Sequence, residues 1–85
     1  MGSRFGDNLR RLRRREGLSQ EQLAKRSSLH RTEIGLLEKG KRVPRIDTLL
    51  QLAGAMAIPP EELLFGIYWT AGGELDGSFT ITMPN

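Results

Sequence analysis

Apolar residues recur three and four positions apart through most of the first 65 residues, then alternate with polar ones, so a helical part precedes a short β part. Phe5, Leu9 and Leu12 share one helical face, with Ser3 at the N-cap position and Gly17 at the stop, which predicts a first helix over 4–16. Its outward face carries Arg10, Arg11, Arg14 and Arg15. Ser19 followed by Gln22 has the spacing of a capping box, where two side chains satisfy unpaired amides at a helix start, and predicts a second helix over 20–27 with Leu23 and Ala24 inward. After Ser27-Ser28-Leu29 a third short helix begins near His30, buries Ile34 and Leu37, and stops at Gly40.

Lys41-Arg42-Val43-Pro44 reads as an extended basic connector, because the residue before proline is pushed out of the helical region. Ile46, Leu49, Leu50, Leu52, Ala53 and Met56 predict a fourth helix that is apolar around most of its surface and therefore central to the core. Pro60 suits the first position of a fifth, with Glu61 and Glu62 at its positive dipole end, Leu63, Leu64 and Phe65 toward the core, and Gly66 closing it. Beyond it, Ile67-Tyr68-Trp69-Thr70 and Ser78–Met83 read as two strands flanking a glycine-rich turn, with Phe79, Ile81 and Met83 alternating with Ser78, Thr80 and Thr82. A lone hairpin is marginal in water, so it must lie on the helices or pair with another chain. The fold expected is mainly α, five helices with a short C-terminal β-hairpin or β-arm, divided into residues 1–66 and an extension over 67–85.

Composition narrows the chemistry. A chain of 85 residues supports one modest core and leaves little room for an enclosed active site. With no cysteine, one histidine and scattered carboxylates, no nucleophile–base pair or metal-ligand set can be assembled, so neither catalysis, a metal nor a cofactor is expected. No apolar run approaches the roughly 18 residues of a membrane span and no signal-type stretch opens the chain, making the cytoplasm the expected compartment and a membrane an unexpected partner. All 13 Lys and Arg lie at or before Arg45 beside five acids, whereas the remainder holds five acids and no base, so charges of +8 and −5 face each other along the chain. Such asymmetry offers one end to a polyanion and leaves the other for something else.

The most specific signal is the run Leu18-Ser19-Gln20-Glu21-Gln22-Leu23-Ala24, a short turn, then Arg31-Thr32-Glu33-Ile34-Gly35-Leu36-Leu37-Glu38-Lys39-Gly40-Lys41. Two short helices crossing at the small Ala24 meet steeply enough for the second to enter a major groove. With Pro44-x-x-Asp47-Thr48-Leu49 and Pro60-Glu61-Glu62-Leu63, this run resembles the helix-turn-helix domain of the Xre/Cro-like, lambda repressor-like, transcriptional regulators over about residues 5–65.

That resemblance implies a five-helix DNA-binding domain whose partner is double-stranded DNA, in a homodimeric repressor reading a near-palindromic operator. It places Gln20 on a backbone phosphate and Arg31, Thr32, Glu33, Gly35 and Leu36 at base-reading positions. The planar fork of Arg31 matches the two acceptors on guanine's major-groove edge. Glu33 either accepts from cytosine's amino group or orients Arg31, Leu36 either meets a thymine methyl or packs, and His30 caps the helix, packs or touches phosphate. Lys39, Lys41 and Arg42 follow where the family approaches the phosphate backbone, Arg10 and Arg14 extend that contact, and Arg13 and Glu38 map to an internal salt bridge. Tyr68, Trp69, Phe79, Ile81 and Met83, in the acidic segment where DNA is repelled, suit a dimer interface. Two other readings stay open: an antitoxin that binds its own promoter while 67–85 clasp a toxin, and a protein-interaction module without DNA binding.

Overall fold

The computed structural model describes residues 1–72 and 77–81. Five helices, α1 (Gly2–Arg15), α2 (Gln20–Ser27), α3 (Arg31–Glu38), α4 (Ile46–Met56) and α5 (Pro60–Leu63), precede an antiparallel hairpin of β1 (Ile67–Ala71) and β2 (Gly77–Ile81). The order and class agree with the sequence pattern, and the boundaries of α2 coincide with the expected ones.

The start of α1 differs from expectation: Met1 is its N-cap, without a side-chain bond, and Ser3 lies inside the helix. The reason is tertiary. Gly2, Ser3 and Gly6 form a small-residue strip against the end of α3, and a Cβ on Gly6 would stand 2.5 Å from the Leu37 carbonyl oxygen and 2.6 Å from that of Glu38. On the other side of the crossing Gly40 adopts φ +73, a left-handed conformation that ends α3, with Ser3 backbone atoms 3.0 Å from where its Cβ would be. Helix-to-helix approach this close is available only to backbone.

The core draws on every helix. Phe5, Leu9, Leu12, Leu23, Ile34, Leu37, Leu52 and Leu63 are each at most 1% exposed, and burial of such a side chain contributes about 1.5–3 kcal/mol. Helix α4 is not its centre, contrary to the expectation from its composition. Leu52, Ala53 and Met56 face inward, but Ile46 and Leu50, one turn apart, are 79% and 54% exposed, because α4 packs on α2 and α5 along one flank only. Nor do Leu64 and Phe65 join Leu63 inside; both are exposed. Both lie past the end of α5, where the chain leaves the side that packs on α1 and α4.

One polar side chain belongs to the interior. Asn8 lies on the apolar stripe of α1, fully buried, and its Nδ2 donates to the carbonyls of Leu63 at 2.9 Å and Phe65 at 2.8 Å. It thereby satisfies carbonyls that the short α5 leaves unpaired at its end. From there Gly66 turns the chain into β1, where Ile67 packs against the core. The register pairs Ile67 with Ile81, Trp69 with Phe79 and Ala71 with Gly77 on one face, and Tyr68 with Thr80 and Thr70 with Ser78 on the other. The first face is apolar throughout: Trp69 and Phe79 meet edge to face with centroids 5.2 Å apart, and the indole occupies the space a Gly77 side chain would need. The strand expected over 78–83 is seen over Gly77–Ile81, and Met83 lies outside the described residues.

Gly6→Ala should force α1 and α3 apart and lower stability by about 1–3 kcal/mol. Urea unfolding followed by circular dichroism measures it, and an unchanged midpoint would refute the close crossing.

Candidate nucleic-acid interface

The α2–turn–α3 unit is fixed at both ends by local chemistry. At its start the Ser19 Oγ accepts from the Gln22 amide at 3.0 Å while Gln22 Oε1 accepts from the Ser19 amide at 2.8 Å, so the capping box is complete. At the turn Ser28 takes a left-handed conformation, φ 60, and the Leu29 amide donates back to the Ala24 carbonyl at 3.0 Å. Helix α3 then begins at Arg31. His30 holds the N-cap position, but its imidazole makes no cap hydrogen bond; the His30 carbonyl accepts from the amides of Glu33 and Ile34 instead. The capping role considered for that side chain is therefore not what the structure shows.

Ile34, Leu37 and Glu38 turn inward on α3. That leaves Arg31 and Thr32 exposed and Glu33, Gly35 and Leu36 half-buried, so the five positions assigned to base reading share the outward side. Leu36 stands outside the contiguous core. A shallow open hollow between α2 and α3, lined by Glu21, Ala24, Lys25, Leu29, His30 and Arg31, borders this side.

The buried end of α3 is held by charge. Glu38 is 5% exposed, and its carboxylate receives Arg13 Nε at 2.6 Å and Nη2 at 3.0 Å, a bidentate fork. Arg13 Nη1 also donates to the Leu18 carbonyl at 2.9 Å, in the α1–α2 loop. The hydrogen bond to Glu38 holds the Arg13 guanidinium above its ordinary pKa. Gln20, the first residue of α2, donates its side-chain amide to Glu38 Oε1 at 3.2 Å, and Arg10 donates to the Glu38 carbonyl at 3.1 Å. One carboxylate thus joins α1, the loop after it, the start of α2 and the end of α3. Gln20 and Arg10, both expected at phosphate, are anchored to the same residue.

The remaining cations divide. Lys39, Lys41 and Arg14 are exposed, with Arg14 one turn beyond Arg10 on the same side of α1. Arg42 reaches back and pairs with Glu33, a partner that neither role considered for Glu33 had assigned. Tyr68, Trp69, Phe79 and Ile81 are all exposed, but Tyr68 stands on the opposite face of the hairpin from the other three. Sequence reasoning missed Asn8 and Gly6. The signal for Asn8 was present, since it follows Phe5 by three residues and precedes Leu12 by four on the apolar stripe. Nothing local marks Gly6 or the pairing of Glu33 with Arg42.

A family model described as a helix-turn-helix domain matches residues 4–64. The chain is 41% identical over 59 residues to an uncharacterized HTH-type transcriptional regulator, y4dJ, of Sinorhizobium fredii, covering 69% of this chain and 77% of that one. It is 45% identical over 60 residues to the control protein C.SmaI of Serratia marcescens, 71% of each. Its fold is similar to the crystal structure of the restriction-modification controller protein C.AhdI from Aeromonas hydrophila, with TM-score 0.71 and 45% identity over 73% of this chain and 94% of that one.

Removing one partner of a buried ion pair strands the other, at a cost of about 3–5 kcal/mol. Glu38→Ala should therefore lose about that much stability, while Arg13→Met combined with Glu38→Leu should recover most of it. Chemical denaturation of the three proteins decides; equal losses for the single and double variants would contradict the assignment.

Proposed function

The chain belongs to the Xre/Cro-like helix-turn-helix family, and from that premise we propose that this DNA-binding transcriptional regulator is a homodimeric repressor reading a near-palindromic operator. The observation that carries the reading is the outward side of α3, where Arg31 and Thr32 stand exposed on a helix whose inner end is clamped through Glu38. A rigid helix with a guanidinium at its leading end suits the major groove, and recognition helices of a dimer enter successive grooves about 34 Å apart.

Arg31 is assigned to a guanine, worth about 1–3 kcal/mol of discrimination. Thr32, Glu33, Gly35 and Leu36 complete the base-reading side. Lys39 and Lys41, with Gln20, His30, Arg10, Arg14 and Arg42, supply contacts to phosphate, which position the protein without reading sequence. The network at Glu38 supports this for Gln20 and Arg10, because it presents both from fixed positions beside α3.

The DNA-binding unit is assigned to residues 1–66 and dimerisation to 67–85. The apolar hairpin face supports the latter: Trp69, Phe79 and Ile81 lie together and exposed, and an uncovered aromatic cluster on an edge-exposed sheet favours a second copy. Tyr68, on the other face, contributes at the rim of that interface. No catalytic role is assigned, and the compartment proposed is the cytoplasm. Among the described residues no helix is long and apolar enough to cross a membrane.

Arg31→Ala should lose discrimination between an operator and random duplex by about 1–3 kcal/mol. Lys41→Ala should instead weaken both alike and flatten the salt dependence by about one unit of slope. Fluorescence anisotropy against salt separates them, and normal operator binding by both variants would refute this use of α3. Trp69→Lys with Phe79→Lys should shift sedimentation from dimer to monomer without unfolding the helices. An unchanged mass would dispose of the hairpin interface.

A further inference from the structure

Glu33 stands in the first turn of α3, and Arg42 lies nine residues on, in the loop beyond its end. Arg42 extends back along the helix so that its Nη1 donates to Glu33 Oε1 at 2.5 Å. The guanidinium is 56% exposed and the carboxylate 25%, so the pair sits at the surface, on the side of α3 assigned above to base reading. Closed, it is neutral, and one cation of the basic loop is withheld from any polyanion outside.

Opening it has unequal consequences on different DNA. If Arg42 leaves for a phosphate on an arbitrary sequence, Glu33 is left as a bare carboxylate facing a polyanion, and like-charge repulsion works against the exchange. The repulsion is relieved only where a base offers Glu33 a donor in place of Arg42. In the major groove those donors are exocyclic amino groups, and the pairing suited to a carboxylate is the N4 amino group of cytosine.

Resting on the proposed DNA-binding reading, we infer that the Glu33–Arg42 pair is a specificity gate: Arg42 is released to a phosphate only where Glu33 accepts from a cytosine amino group. On any other sequence the pair stays closed. Arg42 is then a conditional phosphate contact, unlike Lys41, and Glu33 determines specificity partly by holding it back.

The test uses the full chain. The wild-type protein first enriches a duplex from a randomised library, and the selected duplex is compared with a scrambled one of equal composition. Binding is titrated across a fourfold range of salt for the wild type, Arg42→Ala, Glu33→Gln and the double variant, with circular dichroism confirming that each is folded. One phosphate contact contributes about 0.9 to the slope of log affinity against log salt, about a threefold change in affinity over that range. Arg42→Ala should flatten the slope on the selected duplex by about that amount more than on the scrambled one, where only the uncovered Glu33 carboxylate acts. Glu33→Gln should steepen the scrambled slope by about as much, and the double variant should restore it. Equal flattening on both duplexes by Arg42→Ala, or an unaltered scrambled slope in Glu33→Gln, overturns the gate while leaving the regulator reading standing. Failure of the wild type to enrich any sequence overturns both.

Discussion

A carboxylate removed from water must be met by opposite charge and by hydrogen bonds, and Glu38 imposes that requirement on the whole helical unit. Its position at the last residue of α3 means that the groups compensating it also locate that helix. Arg13 spends all three of its guanidinium nitrogens on the task, two on the carboxylate and one on the Leu18 carbonyl. Gln20 and Arg10 complete the shell. Replacing such a pair by well-packed apolar residues often preserves or raises stability. What the charges add here is direction, since a bidentate fork fixes the rotation of α3 about its axis in a way that Ile34 and Leu37 alone do not.

The charge division along the sequence survives folding in a modified form. Basic residues of the first half remain outside on α1, on α3 and in the loop after it, but several are matched: Arg15 with Glu62 at 3.1 Å, Arg45 with Asp47 at 3.3 Å, and Arg42 with Glu33. Exposed pairs of this kind contribute at most about 1 kcal/mol each. Their effect is on the field outside the molecule, where they leave Lys39, Lys41, Arg14 and Arg31 as exposed cations around α3.

How much of this was legible in the sequence depended on how local the determining interaction is. Helix α2 could be placed to the residue because Ser19 and Gln22 carry its start within four positions. The ends of α1 and α3 were marked by Gly17 and Gly40, both with positive φ. The beginning of α1 was misplaced because a close approach to α3, invisible locally, overrides the capping tendency of Ser3. Composition misjudged α4 and α5 for a related reason: apolar residues show that a helix can be buried, not how many of its sides find a neighbour. Of the proposed interface, the outward positions of α3 followed from helical spacing. The pairing of Arg13 with Glu38 was suggested only by family resemblance, and that of Arg42 with Glu33 by nothing in the chain.

Asn8 and Arg13 sit five residues apart on α1, one gripping the carbonyls where α5 runs toward the hairpin, the other gripping the end of α3. Five residues of helix span about 7.5 Å. Within one chain the distance between those two grips is thus a length cut into a single rod. The approach to the hairpin and the end of α3 are therefore tied to the same strut, like the fixed jaw of a calliper.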